Sequence, residues 1–285
     1  MVIKKVDLYE YFGVERKAGV QGYLDLYLHE STEGAPNRVR PAMLVLAGGG
    51  YGFVSKREQE PIALRYMVEG FNAFALHYSV SPVTFPAQLI EACMAMCYVR
   101  ENAKKLCIMP DKICAVGFSA GGHLCASLSN MYNFKEVIDV LGENRAKLAR
   151  PDASILSYPV ITAKEPTHIG SFLNLTNANE NLYQRLSVEN QVTIDTPPAF
   201  IWATFNDGCV PCENSFAYAM AMKKVGVPFE LHIFEDGVHG ISLATKEVST
   251  EGNEQAIDRP ELNVWVNLSV TWLKNRGFIL KNKGE

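Results

Sequence analysis

The sequence predicts an α/β protein built on a doubly wound, mostly parallel β-sheet. Two observations predict this fold. Short, continuously apolar runs recur along the chain, which is typical of strands covered on both faces by helices. Between them lie segments with the apolar period of helices, and several of these segments end at a glycine. Such alternation of strand and helix favours right-handed parallel connections within one sheet.

The predicted strands follow in order along the chain. Residues 23–29 alternate, with Leu24, Leu26 and Leu28 on one side, which predicts an antiparallel or edge strand with one buried face. The next runs are apolar throughout, so we expect them to be buried on both faces. They lie at residues 42–47, 72–76, 113–116, 153–156 and 199–204, and a last strand is predicted at 229–234.

Helices are predicted between these strands. The clearest covers residues 86–105, where Leu89, Cys93, Met96 and Val99 form one apolar stripe. The other predicted helices lie at residues 61–69, 122–128, 213–225 and 263–276.

The length and composition fit a single domain. The 285 residues, 48% of them hydrophobic and 20% charged, can bury one large core. Residues 163–198 interrupt the alternation with a polar, asparagine-rich stretch, and a connection of this length in a compact domain is usually functional. We therefore predict one domain over residues 1–285, in which residues 163–198 form a small helical lid over the carboxyl edge of the sheet.

Charge and composition argue against several classes of partner. A formal net charge of −4 gives no electrostatic basis for binding nucleic acid or an anionic membrane. No apolar run reaches the roughly 18 residues of a membrane span, and the N-terminus lacks the apolar stretch of a signal peptide. Seven scattered cysteines favour reduced thiols and a cytoplasmic location. We expect no metal and no organic cofactor, and the sequence leaves a homo-oligomer open.

Ser119 is the strongest candidate for a catalytic nucleophile. It lies at the centre of Gly-Phe-Ser-Ala-Gly, residues 117–121, between a predicted strand and a predicted helix. Glycines on both sides allow a turn too sharp for side chains, which leaves the serine hydroxyl clear of the backbone. This setting predicts a nucleophile elbow.

A serine hydroxyl needs a general base near neutral pH, and His239 is the strongest candidate for it. It precedes Gly240 in the loop after the last predicted strand, where a base at the carboxyl end of the sheet would lie. The other five histidines lie in or beside predicted strands and helices, or in the predicted lid. His123 belongs to the same helix as the elbow and is expected to help pack it.

Asp207 is the predicted acid that orients this base, because it leads the loop after the preceding strand. Glu235 and Asp236 share the histidine's own loop and would require that loop to double back. Cys209 and Cys212, which follow Asp207, form a C-x-x-C pair. We interpret them as two incidental reduced thiols, with a redox switch or half of a metal site as the alternative.

Acyl transfer also needs donors fixed in advance for the oxyanion. Gly48, Gly49 and Gly50 follow the strand at residues 42–47, and this loop is expected to lie beside the elbow. The amides of Gly49, Gly50 and Ala120 would then form the oxyanion hole. A flexible turn or a phosphate cradle is the alternative, although the Gly-Lys-Ser/Thr of a phosphate loop is absent.

Four segments together resemble the α/β-hydrolase esterases related to acetyl esterases and acetylxylan esterases. They are Ala-Gly-Gly-Gly-Tyr at 47–51, Gly-Phe-Ser-Ala-Gly-Gly-His at 117–123, Thr-Pro-Pro through Asn-Asp-Gly-Cys-Val-Pro at 196–211, and Gly-Val-His-Gly at 237–240. The resemblance covers residues 41–272 and implies the α/β-hydrolase fold. It implies a triad and oxyanion donors at the positions argued above.

One residue departs from this pattern. Ala47 stands where many lipases and esterases of the wider group have a histidine before the glycines. The oxyanion donors are backbone groups, so the hole itself is expected to remain. The hydrogen bonds that brace its loop must then come from other residues.

The resemblance implies a serine esterase that hydrolyses short-chain acetyl esters, of sugars or xylooligosaccharides, through an acyl-enzyme. An arylformamidase or a small-substrate peptidase would use the same triad, and a catalytically silent fold that binds a ligand is a further alternative. Tyr51, Phe53, Tyr78 and Tyr158 are candidates for contacts with the small-molecule substrate, since aromatic residues at strand ends could stack on a sugar. Ordinary packing at the edge of the core is their alternative role. The polar predicted lid argues against a long lipid chain.

Overall fold

A central β-sheet organises the protein. The computed structural model describes residues 1–30, 33 and 38–279, and within them eight strands form one sheet. These strands are β1 (Val2–Asp7), β2 (Tyr23–Leu28), β3 (Arg40–Leu46), β4 (Asn72–His77), β5 (Ile108–Phe118), β6 (Ala153–Ser157), β7 (Ala199–Thr204) and β8 (Phe229–Phe234).

The strand order across the sheet is β1-β2-β4-β3-β5-β6-β7-β8. β2 pairs antiparallel with both β1 and β4, and the remaining pairs are parallel. The predicted mostly parallel sheet with an antiparallel early strand is confirmed. The sequence pattern does not predict β1, whose two adjacent lysines interrupt its apolar residues, because its position depends on pairing with β2.

The helices of the described residues include all five that the sequence predicts, with ends shifted by a few residues. They are α1 (Leu8–Phe12), α2 (Glu60–Val68), α3 (Ala87–Glu101), α4 (Ala120–Met131), α5 (Lys135–Leu141), α6 (Glu143–Leu148), α7 (Ile169–Thr176), α8 (Tyr183–Leu186), α9 (Glu213–Val225), α10 (Glu254–Ile257) and α11 (Pro260–Asn275). The last of these begins at a proline, which suits the first helical position. Over the described ranges, no helix combines the length and apolar character that crossing a bilayer requires.

Two buried cores lie on opposite faces of the sheet, which explains the continuously apolar strands. Successive residues of β3 alternate between the cores: Leu44 and Leu46 pack with α3 and α4, whereas Met43 and Val45 pack with α2 and α11. From Pro41 onward, every side chain of β3 is therefore buried. Burial of this kind stabilises the fold by about 25 cal/mol per Å² of apolar surface.

Residues 163–198, which we call the insertion, connect β6 to β7 and contain the short helices α7 and α8. Phe172, Leu175 and Leu186 from the insertion are buried in the same core as α4. The insertion therefore packs against the helical layer on that face of the sheet.

Candidate active site

The turn between β5 and α4 holds Ser119 in a strained backbone conformation, with φ of 54° and ψ of −121°. A Cβ atom at Gly117 would lie 2.2 Å from the carbonyl oxygen of Gly121. A Cβ atom at Gly121 would lie 2.1 Å from the carbonyl oxygen of Leu46. Only glycine fits at these two positions, and this close packing gives the turn the shape of a nucleophile elbow.

Ser119, His239 and Asp207 form one hydrogen-bonded chain. Nε2 of His239 lies 2.8 Å from Oγ of Ser119, and Nδ1 lies 2.7 Å from Oδ2 of Asp207. A carboxylate can only accept, so Nδ1 carries the proton and Nε2 is left to accept the serine hydroxyl. The structure thus brings together the three side chains that the sequence predicts as nucleophile, base and acid.

The loop after β7 holds the Asp207 carboxylate through its own backbone. The amides of Cys209 and Val210 donate to Oδ1 of Asp207 at 2.8 and 2.9 Å, while Oδ2 faces His239. The side chain of Asp207 is fully buried, and that of His239 is 20% exposed. The carboxylate is therefore fixed from both sides, and the imidazole keeps an open edge toward the cavity.

Asp236, an alternative acid in the histidine's loop, makes other contacts. Its Oδ2 lies 3.1 Å from Nη1 of Arg259, and Asn206 donates to its Oδ1 at 3.3 Å. Its side chain is exposed. Asp236 thus belongs to a surface ion pair, and the carboxylate bonded to His239 is Asp207.

The glycine loop after β3 lies beside the elbow because Leu46 pairs with Gly117 across the parallel strands. Among the described residues, the amides of Gly49 and Gly50 donate to no protein acceptor. The amide of Ala120 is the first of α4, where no intrahelical acceptor exists. These three amides are available for an anion next to Ser119.

Other residues brace this loop where Ala47 supplies no polar side chain. The hydroxyl of Tyr78 donates to the carbonyl of Ala47 at 2.6 Å. The amide of Gly48 donates to Oε2 of Glu58 at 2.8 Å, and Asn174 of the insertion donates to the carbonyl of Gly50 at 2.8 Å. The hydrogen bonds that hold the glycine loop therefore come from three separate parts of the chain, as the alanine at position 47 leads us to expect.

A cavity of about 400 Å³ opens onto Ser119 and His239. Phe53, one of the predicted substrate contacts, lines it and is exposed. Its wall also includes Arg57 and two residues of the insertion, His168 and Asn174. The sequence does not single out these two insertion residues as parts of the site. Burial and the nearby His239 lower the pKa of His168, so this imidazole is neutral at pH 7.

The prediction of substrate contact is wrong for three tyrosines, because their side chains are buried in this structure. Tyr51, Tyr78 and Tyr158 are at most 2% exposed. Their hydroxyls bond to His123, to the carbonyl of Ala47 and to Glu58 respectively. They support the loops of the site through these buried hydrogen bonds. Their role is therefore packing at the edge of the core, the alternative that the sequence analysis gives for them.

His123 links the insertion to the glycine loop. Its Nδ1 lies 2.8 Å from the hydroxyl of Tyr51, and its Nε2 lies 2.8 Å from the carbonyl oxygen of Leu186. The carbonyl can only accept, so Nε2 carries the proton and Nδ1 accepts from the tyrosine. The side chain that sequence analysis assigned to helix packing therefore also bridges two loops.

Across residues 1–30, 33 and 38–279, no three His, Cys, Asp or Glu side chains group in a way that could hold a metal ion. Cys209 and Cys212 are free thiols; Cys209 is exposed and Cys212 is buried. The backbone amide of Cys209 helps to orient Asp207, whereas Cys212 makes no hydrogen bond to that carboxylate. The interpretation of the two residues as incidental reduced thiols, with a redox switch as the alternative, stays a prediction.

The strand order and the serine at the turn after β5 define an α/β-hydrolase fold. The BD-FAE family model matches residues 24–222. The chain therefore belongs to the BD-FAE family of α/β-hydrolase esterases. This result confirms the resemblance that the four sequence segments indicate.

Two relatives and one solved structure illustrate the similarity. Endo-1,4-beta-xylanase B of Butyrivibrio fibrisolvens is 37% identical over 242 residues, which cover 83% of this chain and 37% of that protein. Acetylxylan esterase of Xylanibacter ruminicola is 30% identical over 214 residues, covering 72% of this chain and 42% of that protein. The chain thus spans about two fifths of the length of these relatives. Among solved structures, an acetyl ester-xyloside bifunctional hydrolase from Caldicellulosiruptor lactoaceticus is 37% identical to this chain and superimposes with a TM-score of 0.77. The match covers 90% of this chain and 89% of that one.

The buried His123 is expected to make the protein less stable in acid. Burial lowers its pKa to about 4, whereas a histidine in the unfolded chain titrates near 6.5. The unfolded state therefore gains a proton first, and stability that is complete above pH 6.5 is lost as the pH falls toward 4. Between pH 7 and pH 5 we expect this residue to account for a loss of about 2 kcal/mol in the free energy of unfolding.

Urea unfolding of the wild type and of His123→Gln at both pH values measures this contribution. The glutamine can still donate to Leu186 but does not titrate, so its stability should change less between the two pH values. An equal change in both proteins would contradict the assignment.

Proposed function

We propose that this protein is a serine esterase that hydrolyses short-chain, acetyl esters of sugars or xylooligosaccharides through an acyl-enzyme. The observation that carries the proposal is the continuous hydrogen-bonded chain from Ser119 through His239 to Asp207, at 2.8 and 2.7 Å. The Ser119 end of this chain faces a cavity, and the wall of that cavity includes backbone amides that donate to no protein acceptor. A nucleophile, a base and oxyanion donors in one place are the requirements of acyl transfer.

The first half of the reaction forms the acyl-enzyme. Ser119 Oγ attacks the ester carbonyl carbon while His239 Nε2 takes the serine proton, and Asp207 stabilises the resulting imidazolium. The negative charge that develops on the carbonyl oxygen is met by the amides of Gly49, Gly50 and Ala120. One such donor contributes about a hundredfold to a thousandfold in rate. The tetrahedral intermediate collapses as His239 returns the proton to the leaving alcohol.

Water repeats the sequence in the second half. His239 removes a proton from water, whose oxygen attacks the acyl carbon bonded to Ser119. The same amides receive the second oxyanion, and the proton on His239 returns to Ser119 as the acid is released. The open edge of the imidazole beside the cavity is where this water would enter.

The wall of the cavity favours a small, polar substrate. Arg57, His168 and Asn174 carry hydrogen-bonding groups, and Phe53 offers an exposed aromatic face. A sugar presents hydroxyls to the first group and an apolar ring face to the second. Relatives named as an acetylxylan esterase and as an acetyl ester-xyloside hydrolase point to the same substrate class.

Substitution Ser119→Ala tests the nucleophile. Loss of the hydroxyl should lower kcat for 4-nitrophenyl acetate by at least about a thousandfold, because no other group forms the acyl-enzyme. Thermal unfolding and circular dichroism should stay close to those of the wild type. Ser249→Ala, which removes a hydroxyl away from the cavity, serves as the control, and near-normal turnover by Ser119→Ala would refute the proposal.

The substrate class is tested by comparing kcat/KM among candidates. We expect acetylated xylooligosaccharides to exceed N-formylkynurenine and a dipeptide amide, because the cavity wall carries several hydrogen-bonding groups. We expect acetyl esters to exceed esters of longer acids, because the cavity is small. A preference for N-formylkynurenine would instead identify an arylformamidase, and a preference for the amide a peptidase. Absence of labelling by a fluorophosphonate would favour a silent ligand-binding fold.

We also propose that the protein works in the cytoplasm. All seven cysteines are free thiols, and an oxidising compartment would favour disulfides. When the protein isolated from its own cells is unfolded in the presence of Ellman's reagent, all seven of these cysteines should react. A markedly lower count would contradict this location.

A further inference from the structure

One buried carboxylate beside the triad has no role in the reaction proposed above. Glu58 is 2% exposed and borders the cavity. Within the described ranges, no lysine or arginine lies within ion-pair distance of it, and its hydrogen bonds come from one amide and one hydroxyl. Burying a carboxylate without a countercharge is costly, and burial accordingly raises the pKa of Glu58.

One oxygen of Glu58 holds the glycine loop. Oε2 accepts from the amide of Gly48 at 2.8 Å, and a Cβ atom at Gly48 would come as close as 2.8 Å to that oxygen and to the carbonyl of Phe118. The loop is therefore pressed between the carboxylate and the elbow. The amides of Gly49 and Gly50 follow directly, so their direction depends on the anchoring of Gly48.

The other oxygen holds the loop of the base. Tyr158 donates its hydroxyl to Oε1 of Glu58 at 2.7 Å and accepts from the amide of Ser242 at 2.9 Å. The ring of Tyr158 packs edge to face on His239, with 5.1 Å between the ring centroids. Ser242 lies in the same loop as His239, so a single carboxylate contacts the supports of both the oxyanion donors and the imidazole.

We propose that Glu58 is a positioning residue for ester hydrolysis, which holds the oxyanion donors and His239 in register with Ser119 through Gly48 and Tyr158. The inference rests on the proposed function. It assigns to Glu58 the hydrogen bonding that holds the glycine loop, which the alanine side chain at position 47 cannot provide. A shift of the donor amides relative to the oxyanion lowers the rate without weakening substrate binding, because the oxyanion exists only after attack.

Substitution Glu58→Gln tests this role. The amide keeps the size of the side chain but replaces one accepting oxygen with a donor, so either Gly48 or Tyr158 loses its acceptor. We expect kcat for 4-nitrophenyl acetate to fall by about thirtyfold and KM to change by less than about threefold. Affinity for a trifluoromethyl ketone, whose adduct with Ser119 carries an oxyanion, should fall in the same proportion as kcat.

Glu91 provides a matched control. It is also a fully buried carboxylate that accepts from a backbone amide, that of Ser79 at 2.6 Å, and from a tyrosine hydroxyl, that of Tyr9 at 3.3 Å. It does not line the cavity. Glu91→Gln should therefore perturb stability as Glu58→Gln does, but leave kcat and inhibitor affinity within about twofold of the wild type.

Two outcomes would overturn the inference. One is a folded Glu58→Gln variant with kcat within threefold of the wild type. The other is an equal fall in kcat for both glutamine variants, which would reduce Glu58 to a structural role. If Glu58→Gln does not fold, Tyr158→Phe keeps the ring but removes the hydroxyl's bonds to Glu58 and to the amide of Ser242. An unchanged kcat in that variant would then count against the inference. Failure of the proposed function differs from these, because the wild type itself would neither hydrolyse the ester nor react with a fluorophosphonate.

Discussion

The close approach of the β5–α4 turn to the end of β3 is the constraint on which the site depends. Gly117 and Gly121 leave no room for a side chain, and the carbonyl oxygen of Leu46 lies only 2.1 Å from where a Cβ of Gly121 would be. Helix α4 therefore starts directly against the end of β3, where the glycine loop begins. The strained conformation of Ser119 is maintained because strands on both sides of β5 hold the turn.

Two buried carboxylates hold the site in different ways. Asp207 is bound by the amides of its own loop and turns its remaining oxygen to His239. Glu58 is bound by groups from two distant loops, through Gly48 and Tyr158. In a region with little water, hydrogen bonds are electrostatically stronger than in bulk solvent. The loop that holds His239 and Ser242 is thus linked to both carboxylates, directly to Asp207 and through Tyr158 to Glu58.

The insertion also contacts the glycine loop through hydrogen bonds. Asn174 donates to the carbonyl of Gly50, and His123 connects Leu186 to Tyr51. The segment that supplies part of the cavity wall therefore also contacts the loop with the oxyanion donors.

The amino-acid sequence by itself determined seven of the eight strands, the main helices and the three side chains that meet at the carboxyl edge of the sheet. These features follow from local signals: apolar periodicity, a serine between two glycines, and polar loop residues directly after strands. Only the tertiary structure decided that Tyr51, Tyr78 and Tyr158 are buried supports. It alone paired Glu58 with Tyr158, a hundred positions away in the chain. The physical reason is that burial and hydrogen-bond partners depend on which distant segments fold together, and no local pattern records this.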